Sequence, residues 1–113
     1  MREDIKINDR ALALGNQIIE VLEKVYDTDV ELDVYNLGLI YEIDLDENGL
    51  CTVVMTFTDT ACDCAESLPI KIVAGLKQIE GIEDVKVEVT WSPAWKITRI
   101  SRYGRIALGL PPR

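Results

Sequence analysis

A chain of 113 residues, 48% hydrophobic and 28% charged, suits one packed domain and is too short for two. It holds no histidine, which excludes a Ser–His–Asp triad, a Cys–His dyad and His-ligated metal within the chain. All 20 acidic residues lie at or before Glu88 with seven of the 12 lysines and arginines, so residues 1–88 carry −13, the remainder +5 and the whole −8, an acidic body that repels phosphate and argues against nucleic-acid binding.

Met1 to Asn8 is charged, has no apolar signal-like core and reads as a tail. Asn8 or Asp9 can cap a first helix, and Leu14, Ile18, Val21, Leu22 and Val25 recur at helical spacing along it. Gly15 is a modest cost inside that helix, which should stop near Tyr26 at the turn chemistry of Asp27, Thr28 and Asp29. A loop is expected over Glu31 to Gly38. From Leu39 the period becomes two: Leu39, Tyr41, Ile43 and Leu45 alternate with Glu42 and Asp44, a half-buried strand. Asn48-Gly49 is a hairpin signal, and the returning antiparallel strand carries Cys51, Val53, Met55 and Phe57 on one side.

The segment Thr58 to Leu68 breaks the pattern. A second helix follows over roughly Ala65 to Ile79, with Ile72, Val73, Leu76 and Ile79 facing inward and Gly81 closing it. Asp63 with Glu66 has capping-box spacing, which puts Pro69 in the second turn; a cap at Ser67 would put Pro69 in the first turn. Both starts are open on the sequence. Val85, Val87, Val89 and Trp91 alternate with polar residues as a third strand, and Ser92-Pro93-Ala94-Trp95 turns the chain. A short helix near Thr98 to Leu108 ends at Gly109 before Pro111-Pro112. The expectation is a single α+β domain, with helices on one face of a small three-stranded mixed sheet and a basic segment over residues 96–113.

Three cysteines, an odd number, do not make a closed disulfide framework. No stretch is long and apolar enough to span a membrane. These features place the chain in the cytoplasm, where thiols stay reduced.

Four segments in order carry a resemblance: Asn36-Leu37-Gly38-Leu39-Ile40-Tyr41, Thr56-Phe57-Thr58 leading to Cys62, Trp91-Ser92-Pro93-Ala94-Trp95, and Leu108-Gly109. Together they resemble the SufT/PaaD-like (MIP-type) iron–sulfur cluster assembly factors, from about Gln17 to Gly109. The resemblance implies a fold like the C-terminal domain of NifU-type scaffolds. It implies a non-enzymatic role in maturing iron–sulfur proteins, as a cluster carrier or client-targeting adaptor, with the assembly machinery and apo client proteins as partners. Cys62 falls on the family's functional loop cysteine. The family's Asp-Pro-Glu motif after the first helix reads Asp27-Thr28-Asp29 here. Asp63 stands where the family usually has proline, and Cys64 is additional.

Cys62 and Cys64 lie at or just before a helix N-terminus, where the dipole and free amides stabilise thiolate; Asp59, Asp63 and Glu66 oppose this as like charges. A Cys-x-Cys pair gives two ligands, whereas a cluster takes four. A transiently held Fe–S cluster would therefore be shared across a homodimer or with a client or small thiol, and zinc could use the same ligands. Inert cysteines in a turn are the bland reading of the same pair. Thr58 and Thr60 can hydrogen-bond a thiolate or cap the loop, and Asp27 and Asp29 are turn residues or acidic contacts to it. Cys51 reads as a buried small hydrophobe. Trp91 reads as core and Trp95 as a surface anchor for a partner. Arg99, Arg102 and Arg105 form a loose basic stripe for an acidic partner. The alternatives are an accessory protein of a multicomponent aromatic-ring oxygenase, as the PaaD side of the resemblance implies, or an enzyme with Cys62 as nucleophile, which lacks a histidine base.

Overall fold

The computed structural model describes residues 1–27, 30–58 and 64–110, with side chains of the last segment from Glu66 onward. Its elements in chain order are β1 (Lys6–Ile7), α1 (Asp9–Ala13), α2 (Gly15–Leu22), β2 (Tyr26–Asp27), β3 (Leu32–Asp33), α3 (Val34–Leu37), β4 (Ile40–Leu45), β5 (Leu50–Met55), α4 (Cys64–Leu76), β6 (Asp84–Val89) and α5 (Arg102–Ala107). The main sheet runs β1-β4-β5-β6, and β2 and β3 make a separate antiparallel ribbon. β1 is parallel to β4, β4 antiparallel to β5, and β5 parallel to β6. The β4–β5 hairpin turns at Gly49, whose φ of 87° needs a residue without Cβ. The return from β5 to parallel β6 passes through α4, as a parallel pair requires.

One face of the sheet is apolar and covered by helices. Ile43, Val53, Cys51 and Met55 are fully buried there beneath Ile18 and Leu22 of α2 and Leu68, Ile72 and Leu76 of α4. The alternate positions Glu42, Asp44, Thr52, Lys86 and Glu88 look out from the open face. Gly75 lets α2 and α4 close on each other: a Cβ there would stand 2.5 Å from Val21 Cγ1.

The expected α+β class and mixed sheet are present, with differences in the short elements. The sheet has four strands rather than three, because Lys6–Ile7, too short for any periodicity, pairs with β4. The N-terminal stretch is therefore not a free tail. The first helix is broken at Leu14 (φ −103°, ψ 14°), so Gly15 opens α2 instead of interrupting one helix. Residues 31–38 are not a plain loop. Asp33 accepts from Asn36 N to cap α3, and Gly38 at φ 77° ends it. α4 starts at Cys64, which removes the Ser67 start and leaves Pro69 inside the helix. The C-terminal helix is in two parts, a 3-10 turn at Ile97–Arg99 and then α5, with Ser101 Oγ accepting from Gly104 N.

Candidate functional site

The cysteine segment hangs from the end of β5 and the start of α4. At the β5 side the chain is clamped on both flanks. Thr56 N donates to Leu39 O at 2.9 Å, and Thr90 N donates to Met55 O at 2.8 Å. Phe57, 2% exposed, meets the Trp91 ring at 5.8 Å between centroids. Thr58 is half-buried. At the other side the segment runs into α4, whose first residue is Cys64. Cys62, Thr60, Asp63 and Asp29 lie outside the described residues.

The segments that stood apart in the sequence meet at this end of the sheet. Trp95 Nε1 donates to Leu37 O at 2.7 Å, and Tyr41 Oη donates to Pro93 O at 2.7 Å. Arg99 donates from Nε to Gly38 O at 2.7 Å and lays its guanidinium over the Tyr41 ring at 4.3 Å. Ser101 N reaches Asn36 O at 2.8 Å, and Ser101 Oγ contacts Asn36 Oδ1 at 2.6 Å. Gly38 admits this crossing, because a Cβ there would lie 2.5 Å from Arg99 O. The residues of these segments form one frame at the end of β5.

That frame corrects several expected roles. Trp91, read as core, is 46% exposed, because β6 ends at Val89 and the strand alternation does not extend to it. Trp95, read as a surface anchor, is half-buried with its indole N–H spent on Leu37 O. The arginine stripe does not exist as one surface. Arg105 is 9% exposed and donates to Ile97 O at 3.1 Å, Arg99 is spent in the frame and pairs with Asp4 at 3.5 Å, and Arg102 alone is exposed. Residues spaced by three line up only on a continuous helix, and the chain breaks at Ile100 and Ser101.

Asp27 is fully buried on β2, and β2 packs against α4, so the structure brings this acid to the helix that begins at Cys64. Cys51 is 0% exposed, and burial, reinforced by the Asp44 charge, pushes its thiol up to about 11. It stays protonated and unreactive at neutral pH, as a small hydrophobe would. The sequence reading gave Thr58 and Thr60 a supporting role and gave Thr56 none. Thr56 is 0% exposed, and its Oγ1 has no hydrogen-bond partner among the described residues. Such a group carries a desolvation cost of about 1–3 kcal/mol, which marks it as a donor open to a group from the adjoining segment. Its place in the strand pattern hid it, since a buried threonine there reads as β-former only. Among the described residues no cluster of three or more His, Cys, Asp or Glu side chains could hold a metal.

Comparison with known proteins gives a consistent result. The family described as "Iron-sulfur cluster assembly protein" matches residues 16–89. The Bacillus subtilis protein named Fe-S protein maturation auxiliary factor YitW is 37% identical over 98 residues, covering 87% of this chain and 96% of that one. The Staphylococcus aureus Fe-S protein maturation auxiliary factor SufT is 38% identical over 86 residues, 76% of this chain and 98% of its own. A crystal structure of a DUF59 domain from Bacillus anthracis superposes with a TM-score of 0.82 at 32% identity, over 92% of this chain and all of that one.

Proposed function

This chain belongs to the iron–sulfur cluster assembly protein family, and we propose that it is an auxiliary factor in the maturation of iron–sulfur proteins, with Cys62 as its working residue. It acts by holding and presenting, without turnover of its own. One observation carries the reading. The Leu37–Tyr41, Thr56–Thr58 and Trp91–Trp95 segments converge in one hydrogen-bonded frame at the base of the segment that holds Cys62. A rigid scaffold beneath a short reactive loop is how folds position chemistry.

The cluster is cargo. Cys62 and Cys64 supply two thiolates toward the four that a cluster takes, so the rest come from a client, a small thiol or a second copy. The α4 N-terminus favours the thiolate form, and Thr56 Oγ1 is a hydroxyl that can donate to sulfur. The partners are apo clients and the assembly machinery. Among the described residues no helix is long and apolar enough to cross a membrane, and the cytoplasm, where thiols stay reduced, is the compartment proposed.

The test is anaerobic reconstitution with iron and sulfide, followed by transfer to an apo ferredoxin, for wild type, Cys62→Ser and Cys64→Ser. A brown chromophore that needs Cys62 and passes to the acceptor supports the carrier role. No chromophore in any form removes the carrier role and leaves an adaptor, to be read by client capture that Cys62→Ser abolishes. A Cys62→Ser protein that is unimpaired in both assays overturns the reading.

A further inference from the structure

Among the described residues the outer edge of β6 is open: β6 ends the sheet order, and its backbone pairs with β5 on one side only. Asp84 N and Thr90 N donate toward β5 chain oxygens, Gly49 O and Met55 O. By the alternation of a parallel ladder, Lys86 and Glu88 also turn toward β5, while Val85, Val87 and Val89 turn their N–H and C=O outward. The one bond the described residues make to that edge is local, Val85 N to Asp84 Oδ1 at 2.9 Å. Exposed edges are normally blunted by charge, since like charges set opposite each other repel. This one carries Lys86 and Glu88, opposite in sign and two residues apart on the open face, 3.2 Å from each other.

We propose that β6 is a self-association edge: two copies pair their β6 strands antiparallel about a two-fold axis at Val87, fusing two sheets into one. In this register Val87 faces Val87 of the second copy, and Val85 faces Val89, as hydrogen-bonded pairs made by the outward backbone groups. Lys86 then faces Glu88 of the second copy, twice. That is the non-hydrogen-bonded position, where Cα atoms stand about 4.5 Å apart and side chains meet most closely. The strand is thus complementary to itself in charge, as an isologous interface requires. On the opposite face the pairing covers Val89, 43% exposed, and approaches Ile70 of α4, 69% exposed, beside the hollow between α4 and Val87. A slip of one residue would set the second copy's valines beside the first copy's open face and lose both gains.

The arrangement bears on the cysteine segment. Met55, where β5 ends, lies level with Val89. Antiparallel pairing puts the two Met55 anchors at opposite ends of the joined sheet, about 20 Å apart from strand rise and spacing. The two cysteine segments then leave β5 at opposite ends, and the remaining cluster ligands come from a client or small thiol rather than the second copy.

The inference stands apart from cluster chemistry, and its test uses neither iron nor sulfide. Sedimentation velocity over a concentration series should give wild type a mass twice the 12.7 kDa of one chain. Lys86→Glu and Glu88→Lys should each weaken dimerisation about tenfold or more, because both cross-strand pairs become like-charged. Both side chains are exposed, so each variant should keep the wild-type circular dichroism. An equimolar mixture of the two variants should restore a dimer, since at these two positions one edge is then wholly acidic and the other wholly basic. A monomeric wild type, a dimer that either variant retains, or a mixture that stays monomeric overturns the proposal.

Discussion

Cys51 is a thiol that burial keeps out of chemistry. Cys51 points into the core from β5, where the thiol is pushed up to about 11 first by burial and then by the Asp44 charge. In the unfolded chain a cysteine titrates near ~8.5. Between these values the native state keeps a proton that the unfolded state has released. Stability from this site is therefore fully present below about pH 8.5 and is lost as pH rises toward about 11. Tyr35 and Tyr41, also raised by burial, act in the same direction at the alkaline end. Urea midpoints measured across this range should fall with pH, and Cys51→Ala should show a shallower fall from a lower starting point. An alkylating reagent at about pH 8, below the ordinary cysteine value, should leave Cys51 unmodified until the protein is unfolded. A Cys51 that labels in the native protein would contradict its place in the core.

At the scale of elements, what could be read in advance follows from length. The β4–β5 hairpin, the body of α4 and the β6 alternation each repeat their period enough times to be seen, and Asn48-Gly49 fixes the turn. β1, β2, β3 and α3 are two to four residues long and exist through their partners. β1 is held by β4, and α3 by the Asp33 cap and by Gly38, whose need for a left-handed φ shows only when Arg99 O is in place beside it. The β4 pattern itself is shifted by an irregularity between Ile40 and Glu42, which buries Ile40 and brings Tyr41 to the frame. Pro69 is the element-level anomaly. It sits inside α4, denies Ala65 O its helical donor and crowds that carbonyl. A proline there is about 3 kcal/mol worse than alanine in a helix interior. Pro69→Ala should raise the melting temperature, with a gain of about 1–3 kcal/mol in chemical denaturation. A fall would mean that the ring's packing beside Val73 and Val87 outweighs the lost hydrogen bond.

Over the whole molecule, the candidate site was legible as fragments and not as a place. Each motif segment can be recognised alone, but no periodicity states that Trp95 reaches Leu37 or that Ser101 reaches Asn36. Those contacts join residues some 60 positions apart and arise only when the sheet is assembled. The charge division, an acidic body and a basic end, names no contact either, and it is Arg99 that the folded-back N-terminus meets. Arg2 donates from Nη1 to Tyr35 O at 2.8 Å and to Asn36 O at 3.3 Å, and from Nη2 to Arg99 O. Asp4 sits between the two guanidiniums, 2.9 Å from Arg2 and 3.5 Å from Arg99. Exposed ion pairs of this kind add little, about 0–1 kcal/mol each. The bonds to carbonyls weigh more, because a charged donor to a part-buried acceptor is worth about 1.5–3 kcal/mol. Arg2 thus closes the chain into a ring, tying its first residues to α3 and to the 3-10 turn at Ile97–Arg99. Arg2→Ala should cost about 2–3 kcal/mol in urea denaturation. Hydrogen exchange should speed up at Gly38, Leu39 and Arg99 to Arg105 while the β4–β5 amides stay protected. Asp4→Ala, which removes only the exposed pairs, should change stability by less than about 1 kcal/mol. If Arg2→Ala is as mild as Asp4→Ala, the frame is held by its tryptophan and tyrosine bonds alone, and the N-terminus is dispensable to it.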